Sequence, residues 1–168
     1  MKYFSLIIIL VLVLASCTKT QQPEQKPDSI IKNEVFNLIN SARASARTCG
    51  SKRFPAVPKL SYNNQLAKAA QNHSVDMDSS GKLSHLSPAN SQFYSQASTA
   101  IERIQQEGYR PIIIEENIAH NQTTAEKLVD DWLASPSHCA SIMNSIVTET
   151  GIGHAGLYWT QDFAKPQQ

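Results

Sequence analysis

Residues 149–164 read ETGIGHAGLYWTQDFA, and the reading of this stretch decides the fold class. Gly156 separates two runs that are poor in helix formers and rich in Tyr, Trp and Phe. Two such runs around a turn residue read as a β-hairpin. The chain upstream carries mostly helical periodicity, so the hairpin belongs to a small sheet that helices must cover. The pattern implies an α+β fold with a largely antiparallel sheet.

Working back from the hairpin, residues 131–144 read DWLASPSHCASIMN. Leu128, Val129, Trp132 and Leu133 form the apolar face of a helix. Thr123 with Glu126 three residues on reads as its capping box. Ser135 and Pro136 then suit the cap and first position of a further short helix. His138 and Cys139 follow side by side at this joint. Further back, Ile112–Ile114 is a β-branched run, read as a short buried strand. A helix over residues 98–107 turns Ile101 and Ile104 inward and stops at Gly108. Another starts at Asn63 or Asn64, carries Leu66, Ala69, Ala70, His73 and Met77 on one face, and stops at Gly81. Residues 48–60, TCGSKRFPAVPKL, break all periodicity and read as a loop. The first helix runs over 29–46, with Ile31, Val35, Leu38, Ile39 and Ala42 on its apolar face.

The N-terminus belongs to targeting. Lys2 precedes an apolar run, Phe4–Leu14, too short to span a bilayer as a mature helix. Leu14-Ala15-Ser16-Cys17 resembles a bacterial lipobox, which implies removal of residues 1–16 and acylation of Cys17. The alternative is an ordinary secretory signal with a chance cysteine. Residues 17–27 are polar and carry prolines, as a flexible tether would. Residues 28–168 then form one domain. Thr18 gives no aspartate-type retention signal, so the expected location is the cell envelope, in the outer membrane if the cell has one. The chain holds 15 Lys and Arg against 14 Asp and Glu, with no basic cluster. Nucleic acid is not an expected partner, and a monomer is expected.

Two of the three cysteines remain once Cys17 is set aside. In an oxidising compartment Cys49 and Cys139 are expected to bridge, the alternative being two buried thiols. The bridge would close a loop of about 90 residues, a stabilisation of roughly 4–5 kcal/mol in the chain-entropy account.

Local catalytic signatures are missing: the chain has no HExxH, CxxC, GxSxG or phosphate-binding glycine loop. Ser135 and Ser137 near His138 read as capping and loop residues. Of five histidines, His73 lies on an apolar stripe and reads as a core histidine with one hydrogen bond. His120 and His154 carry no signal of their own. His85 and His138 lie at helix edges, where functional residues concentrate. Glu115 and Glu116 follow the apolar run, and strand alternation turns one inward and one outward. An inward carboxylate near neutral imidazoles could help hold a divalent metal or orient its water. Two solvated glutamates at a strand end fit the same spacing.

Five segments in order, LSYNNQLAKAAQNHSVDM, LSHLSP, EENIA, VDDWLASPSHCASIM and GIGHAGLYWTQDFA, resemble the successive motifs of the CAP superfamily. That family takes its name from cysteine-rich secretory proteins, venom antigens and pathogenesis-related proteins, and the likeness is greatest to its bacterial SCP-like branch. It covers about Ile31 to Ala164. The resemblance implies an α-β-α sandwich with a cleft lined by two histidines and two acids, where some members bind zinc. Carried over by motif, the histidines are His85 and His138 and the acid is Glu116. Two departures stand out. Glu115 replaces a usual glycine, and Ser135 stands where many relatives have the second acid.

Three functions follow as expectations. The first is a membrane-anchored envelope protein, tethered at Cys17, whose cleft binds Zn2+ or another divalent cation, or a small ligand, through His85, His138 and Glu116. The second is a metal-dependent hydrolase with Glu116 as general base. The third is a lipid-binding or non-catalytic protein-interaction module.

Overall fold

The structure is a computed structural model that describes residues 26–167. The expected signal peptide, the lipidation site at Cys17 and nearly all of the tether lie outside the described residues. The elements in order are α1 (Asp28–Arg43), β1 (Arg47–Cys49), β2 (Lys52–Phe54), β3 (Ser61–Tyr62), α2 (Asn64–Ser80) and α3 (Ala100–Gln106). Then come β4 (Pro111–His120), α4 (Ala125–Ala134), α5 (Pro136–Ile142), β5 (Glu149–Ala155) and β6 (Tyr158–Pro166). No helix among the described residues is long and apolar enough to cross a membrane.

The architecture is the expected α+β one. Four strands form a sheet in the order β3-β5-β6-β4, antiparallel except for the short β3–β5 pair. β5 and β6 are the hairpin read from residues 149–164, turning at Gly156 with φ +55°. Strand alternation sorts the core onto two faces. Ala119, Trp159 and Phe163 pack with Val35 and Ile39 of α1, Leu128 and Trp132 of α4, and Ile142 of α5. Ile114 and Ala164 point the other way, against Leu66 and Ala69 of α2 and Ile104 of α3. Ile118 and Tyr158 continue that face against Met77. Helices therefore cover the sheet on both sides.

The approach of α2 to the sheet depends on two glycines. A Cβ at Gly151 would lie 2.0 Å from the Ala67 nitrogen, and one at Gly153 would lie 2.2 Å from the Ala70 carbonyl. Only glycine lets the helix backbone sit this close. Asn63 caps α2 by accepting from the Gln65 and Leu66 amides, and Gly81 ends it in the left-handed region, as read from the sequence.

Several boundaries differ from the sequence reading. β4 has ten residues and takes in both glutamates. Pairing with β6 along its length overrides the weak strand preference of Glu, Asn and Ala. Within the segment read as a loop, β1 and β2 pair around Gly50, whose φ is +62°. α1 ends at Arg43 rather than Ala46. α4 is capped by Thr124, whose hydroxyl accepts from the Lys127 amide, so the expected Thr123–Glu126 box does not form. The true capping box is Thr99 with Glu102 at the start of α3. In that helix Ile104 is buried as expected, but Arg103 is the other long inward side chain and Ile101 is 38 % exposed.

Cys49 and Cys139 form a disulfide, with Cα atoms 5.5 Å apart and 90 residues between them. It fastens the β1–β2 hairpin to the buried side of α5. Pro136 stands at N1 of α5 with Ser135 as its cap residue, although the Ser135 hydroxyl makes no capping bond. The far end of α5 is gripped by buried Arg43, which donates to the Ile142 and Asn144 carbonyls at 2.6 and 2.9 Å. Burial pushes the Arg43 guanidinium down to about 10.

Candidate functional site

Glu116 lies midway along β4, on the face covered by α2 and α3, opposite Asp162 of β6. Its side chain is 4 % exposed. A carboxylate this deep needs compensating charge and hydrogen bonds, and two groups supply them. Arg103 of α3, fully buried, donates from Nη2 to Glu116 Oε2 at 2.5 Å. His85, from the loop after α2, meets Oε1 through Nδ1 at 2.8 Å. Arg103 also donates to the His85 and Ser98 carbonyls at 3.1 and 2.7 Å, so one guanidinium positions both the acid and the loop bearing the histidine.

The electrostatics follow from this geometry. Burial opposes ionisation of Glu116, but the His85 hydrogen bond and then the charge and hydrogen bond of Arg103 outweigh it and hold the carboxyl below its usual range. The same hydrogen bond raises His85 above an ordinary imidazole, against a smaller opposing effect of burial. His138 moves the other way, lowered by burial first and by His85 second. Its backbone carbonyl accepts from Asn117 Nδ2 at 3.3 Å, on the α5 face of the strand. The two histidines thus reach β4 from different elements, and their shifts are opposite, with the His85 charge contributing to that of His138.

Behind them lie two further groups. His73 is fully buried and pairs through Nε2 with the Ser84 carbonyl at 2.8 Å, the single hydrogen bond expected of a core histidine. Nε2 must be the donor, and buried Nδ1 has no hydrogen-bond partner among the described residues. Burial, then the Arg103 charge, pushes His73 down to about 4. Asp162 is fully buried, and neither of its carboxyl oxygens has a hydrogen-bond partner among the described residues. Burial, then the Glu116 charge, pushes it well above the usual carboxyl range. A neutral Asp162 is a donor, and its neighbour across the strands is the Glu116 carboxylate.

The sequence-derived residues divide accordingly. His85 and Glu116 are in contact, and His138 is their neighbour. Glu115 points to the opposite face, where Ser141 Oγ and Asn144 Nδ2 donate to it at 3.2 Å each. The Ser135 hydroxyl pairs with that of Ser137 at 3.3 Å, and no second acid stands there. Arg103 and Asp162 were not read from the sequence as site residues. The one sequence signal was for Arg103, a charged residue one position before inward Ile104 and three after Ala100.

These donors fit a divalent cation only in part. Both Glu116 oxygens are engaged, and His85 Nδ1 is taken by Glu116, which leaves His85 Nε2 and the His138 ring. Among the described residues no three His, Cys, Asp or Glu side chains are grouped as a metal set. Two imidazoles fall short of the three protein ligands of a catalytic zinc.

Residues 36–163 match the cysteine-rich secretory protein family, CAP. An uncharacterised membrane protein of Bacillus subtilis, YlbC, is 32 % identical over 141 residues, which is 84 % of this chain and 36 % of that protein. An uncharacterised protein of the same organism, YkwD, is 27 % identical over 153 residues, 89 % of this chain and 53 % of that one. The chain thus spans between about a third and about a half of these relatives. Among solved structures, an extracellular protein containing an SCP domain from Bacillus anthracis superposes with a TM-score of 0.68 at 26 % identity. That match covers 82 % of this chain and 41 % of the other.

Proposed function

The chain belongs to the cysteine-rich secretory protein family, and from that premise we propose that it is an exported ligand-binding module whose cleft takes up a divalent cation through His85 and His138. The observation that carries this reading is the commitment of Glu116. Its two oxygens are taken by Arg103 and His85, so it serves as the carboxylate that orients His85 and fixes its tautomer. Nε2 of His85 is then the ring atom left for a ligand, on a side chain that is 57 % exposed. His138, lowered in basicity, is the readier of the two to offer a neutral nitrogen. A cation held there would supply an open Lewis-acidic position to an anionic ligand.

With two imidazole donors, affinity is modest and occupancy depends on pH. The hydrolase alternative has this geometry against it. Glu116 is buried, ion-paired and below the usual carboxyl range, a poor general base. Export is supported by two of the relatives, an extracellular protein of Bacillus anthracis and a membrane protein of Bacillus subtilis. Acylation at Cys17 would make the attachment a lipid anchor, with residues 18–27 as tether.

Zinc titration by calorimetry of the full chain tests the cation reading. The expected result is one site in the wild type, weakened roughly tenfold or more in both His85→Ala and His138→Ala. Binding unaffected by both substitutions contradicts it.

A further inference from the structure

β4 has a neighbouring strand on one side only. Its pairing fixes which backbone groups are free. The Asn121 amide donates to the Leu157 carbonyl, and the register runs without interruption from His120↔Tyr158 to Ile113↔Lys165. Odd-numbered residues of β4 therefore exchange the ladder bonds with β6, and Ile114, Glu116 and Ile118 turn their amides and carbonyls outward. Trp132 bears this out by donating from its indole to the Ile118 carbonyl at 3.3 Å. No hydrogen bond reaches the outward amide or carbonyl of Ile114 or Glu116 from any described residue. Glu116 has a 4 % exposed side chain yet is only partly buried as a residue, so what it shows to solvent is main chain.

Natural sheets blunt such edges with proline, bulges, lysine or a covering side chain. Here Pro111 and a register shift before Ile113 protect the start of β4, and Trp132 covers Ile118. The middle is bare. His85 flanks it on one face and His138 on the other, with exposed Leu83 and Leu86 beside His85. An unpaired ladder is complementary to another extended backbone.

We propose that the outer edge of β4 at Ile114–Glu116 takes up an extended peptide of a partner protein by strand addition. This rests on the reading that the cleft between His85 and His138 is the ligand site, and it names the ligand as a peptide segment. The cation is not required for the backbone pairing.

The probe is a set of capped peptides of roughly seven residues, the length of an ordinary strand, built of Val and Thr. They are added to the metal-free full chain and followed by amide NMR. The Ile114 and Glu116 amides should move downfield and exchange roughly tenfold more slowly. Peptides N-methylated at alternate residues should bind roughly tenfold more weakly, because the ladder cannot form. Ile114→Pro removes an outward amide at an edge position that tolerates proline. It should abolish the response while leaving the β5–β6 amide signals in place.

The proposal is overturned if no peptide of the set perturbs these amides at millimolar concentration, or if the N-methylated peptides bind equally well. It is also overturned if the same amides shift with protein concentration alone, which would make a second copy the occupant. Failure of the cation reading registers separately, as zinc binding indifferent to His85 and His138 while the peptide response persists.

Discussion

Glu115 and Glu116 are adjacent on one strand and end in opposite circumstances. Glu116 faces α2 and α3, buried against the Arg103 guanidinium and the His85 ring. Glu115 faces α5, partly buried, and is met by the neutral side chains of Ser141 and Asn144. A single step along a strand reverses the face. The difference teaches how a charge becomes a functional part. On one side a fully buried cation makes ionisation of a deep carboxylate tolerable and gives it a partner to orient. On the other, ordinary polar contacts at a half-open rim suffice.

The comparison can be broken most forcefully at α5, which supplies the partners of Glu115 and carries His138. Cys49→Ala should lower stability by roughly 4–5 kcal/mol in the chain-entropy account, measured by denaturant unfolding. It should also weaken zinc binding, because α5 loses its attachment beside His138. If only stability falls, the adjacency of His138 and Cys139 is incidental.

Next is the Glu116 side. Arg103→Met leaves a buried carboxylate without its cation and should cost about 3–5 kcal/mol, of which Glu116→Leu in the same chain recovers part. Below that comes the acid response of the same face. His73 is held neutral down to about 4, against an unfolded value near 6.5. As pH falls through that window the unfolded chain takes up the proton first. Stability should therefore drop by about 3 kcal/mol between pH 6.5 and 4 and level off below. His73→Gln, which can still donate to the Ser84 carbonyl, should remove that segment of the pH curve.

Asp162 has the opposite sign. Its folded carboxyl is raised, so folding is favoured at low pH and loses that advantage as pH rises from the unfolded value toward the folded one. Asp162→Asn keeps a neutral donor opposite Glu116 and should raise stability at neutral pH, read from denaturant unfolding. The smallest effect belongs to Glu115→Gln, within about 0.5 kcal/mol, since Ser141 and Asn144 can satisfy an amide as readily as a carboxylate. A loss comparable to that of Arg103→Met would erase the distinction between the two faces.

Much of this was legible in the chain. The hairpin at 149–164 announced itself through Gly156 and its aromatic flanks, and α2 through its stripe from Leu66 to Met77 and its Asn and Gly ends. His85, Glu116 and His138 were marked by ordered motifs that resemble a family, not by local chemistry. What stayed hidden was tertiary. The length of β4 comes from its partner strand. The hairpin at Gly50 is held on α5 by the disulfide. Arg103 turns inward beside Ile104 while Ile101, expected to do so, stays partly exposed. Asp162 lies between Gln161 and Phe163 in the last strand, and nothing in its own surroundings along the chain shows that Glu116 stands across from it.

The central claim is that Glu116, pinned by Arg103, orients His85 and splits the two cleft imidazoles. The most direct measurement is a histidine-ring 15N NMR titration of the wild type and Glu116→Gln. The account predicts that His85 titrates above the ordinary imidazole value of about 6.5 with Nδ1 protonated throughout, and that His138 titrates below it. In Glu116→Gln, His85 should fall back and lose its fixed tautomer. A wild-type His85 that titrates at or below His138, or one indifferent to Glu116→Gln, would contradict it.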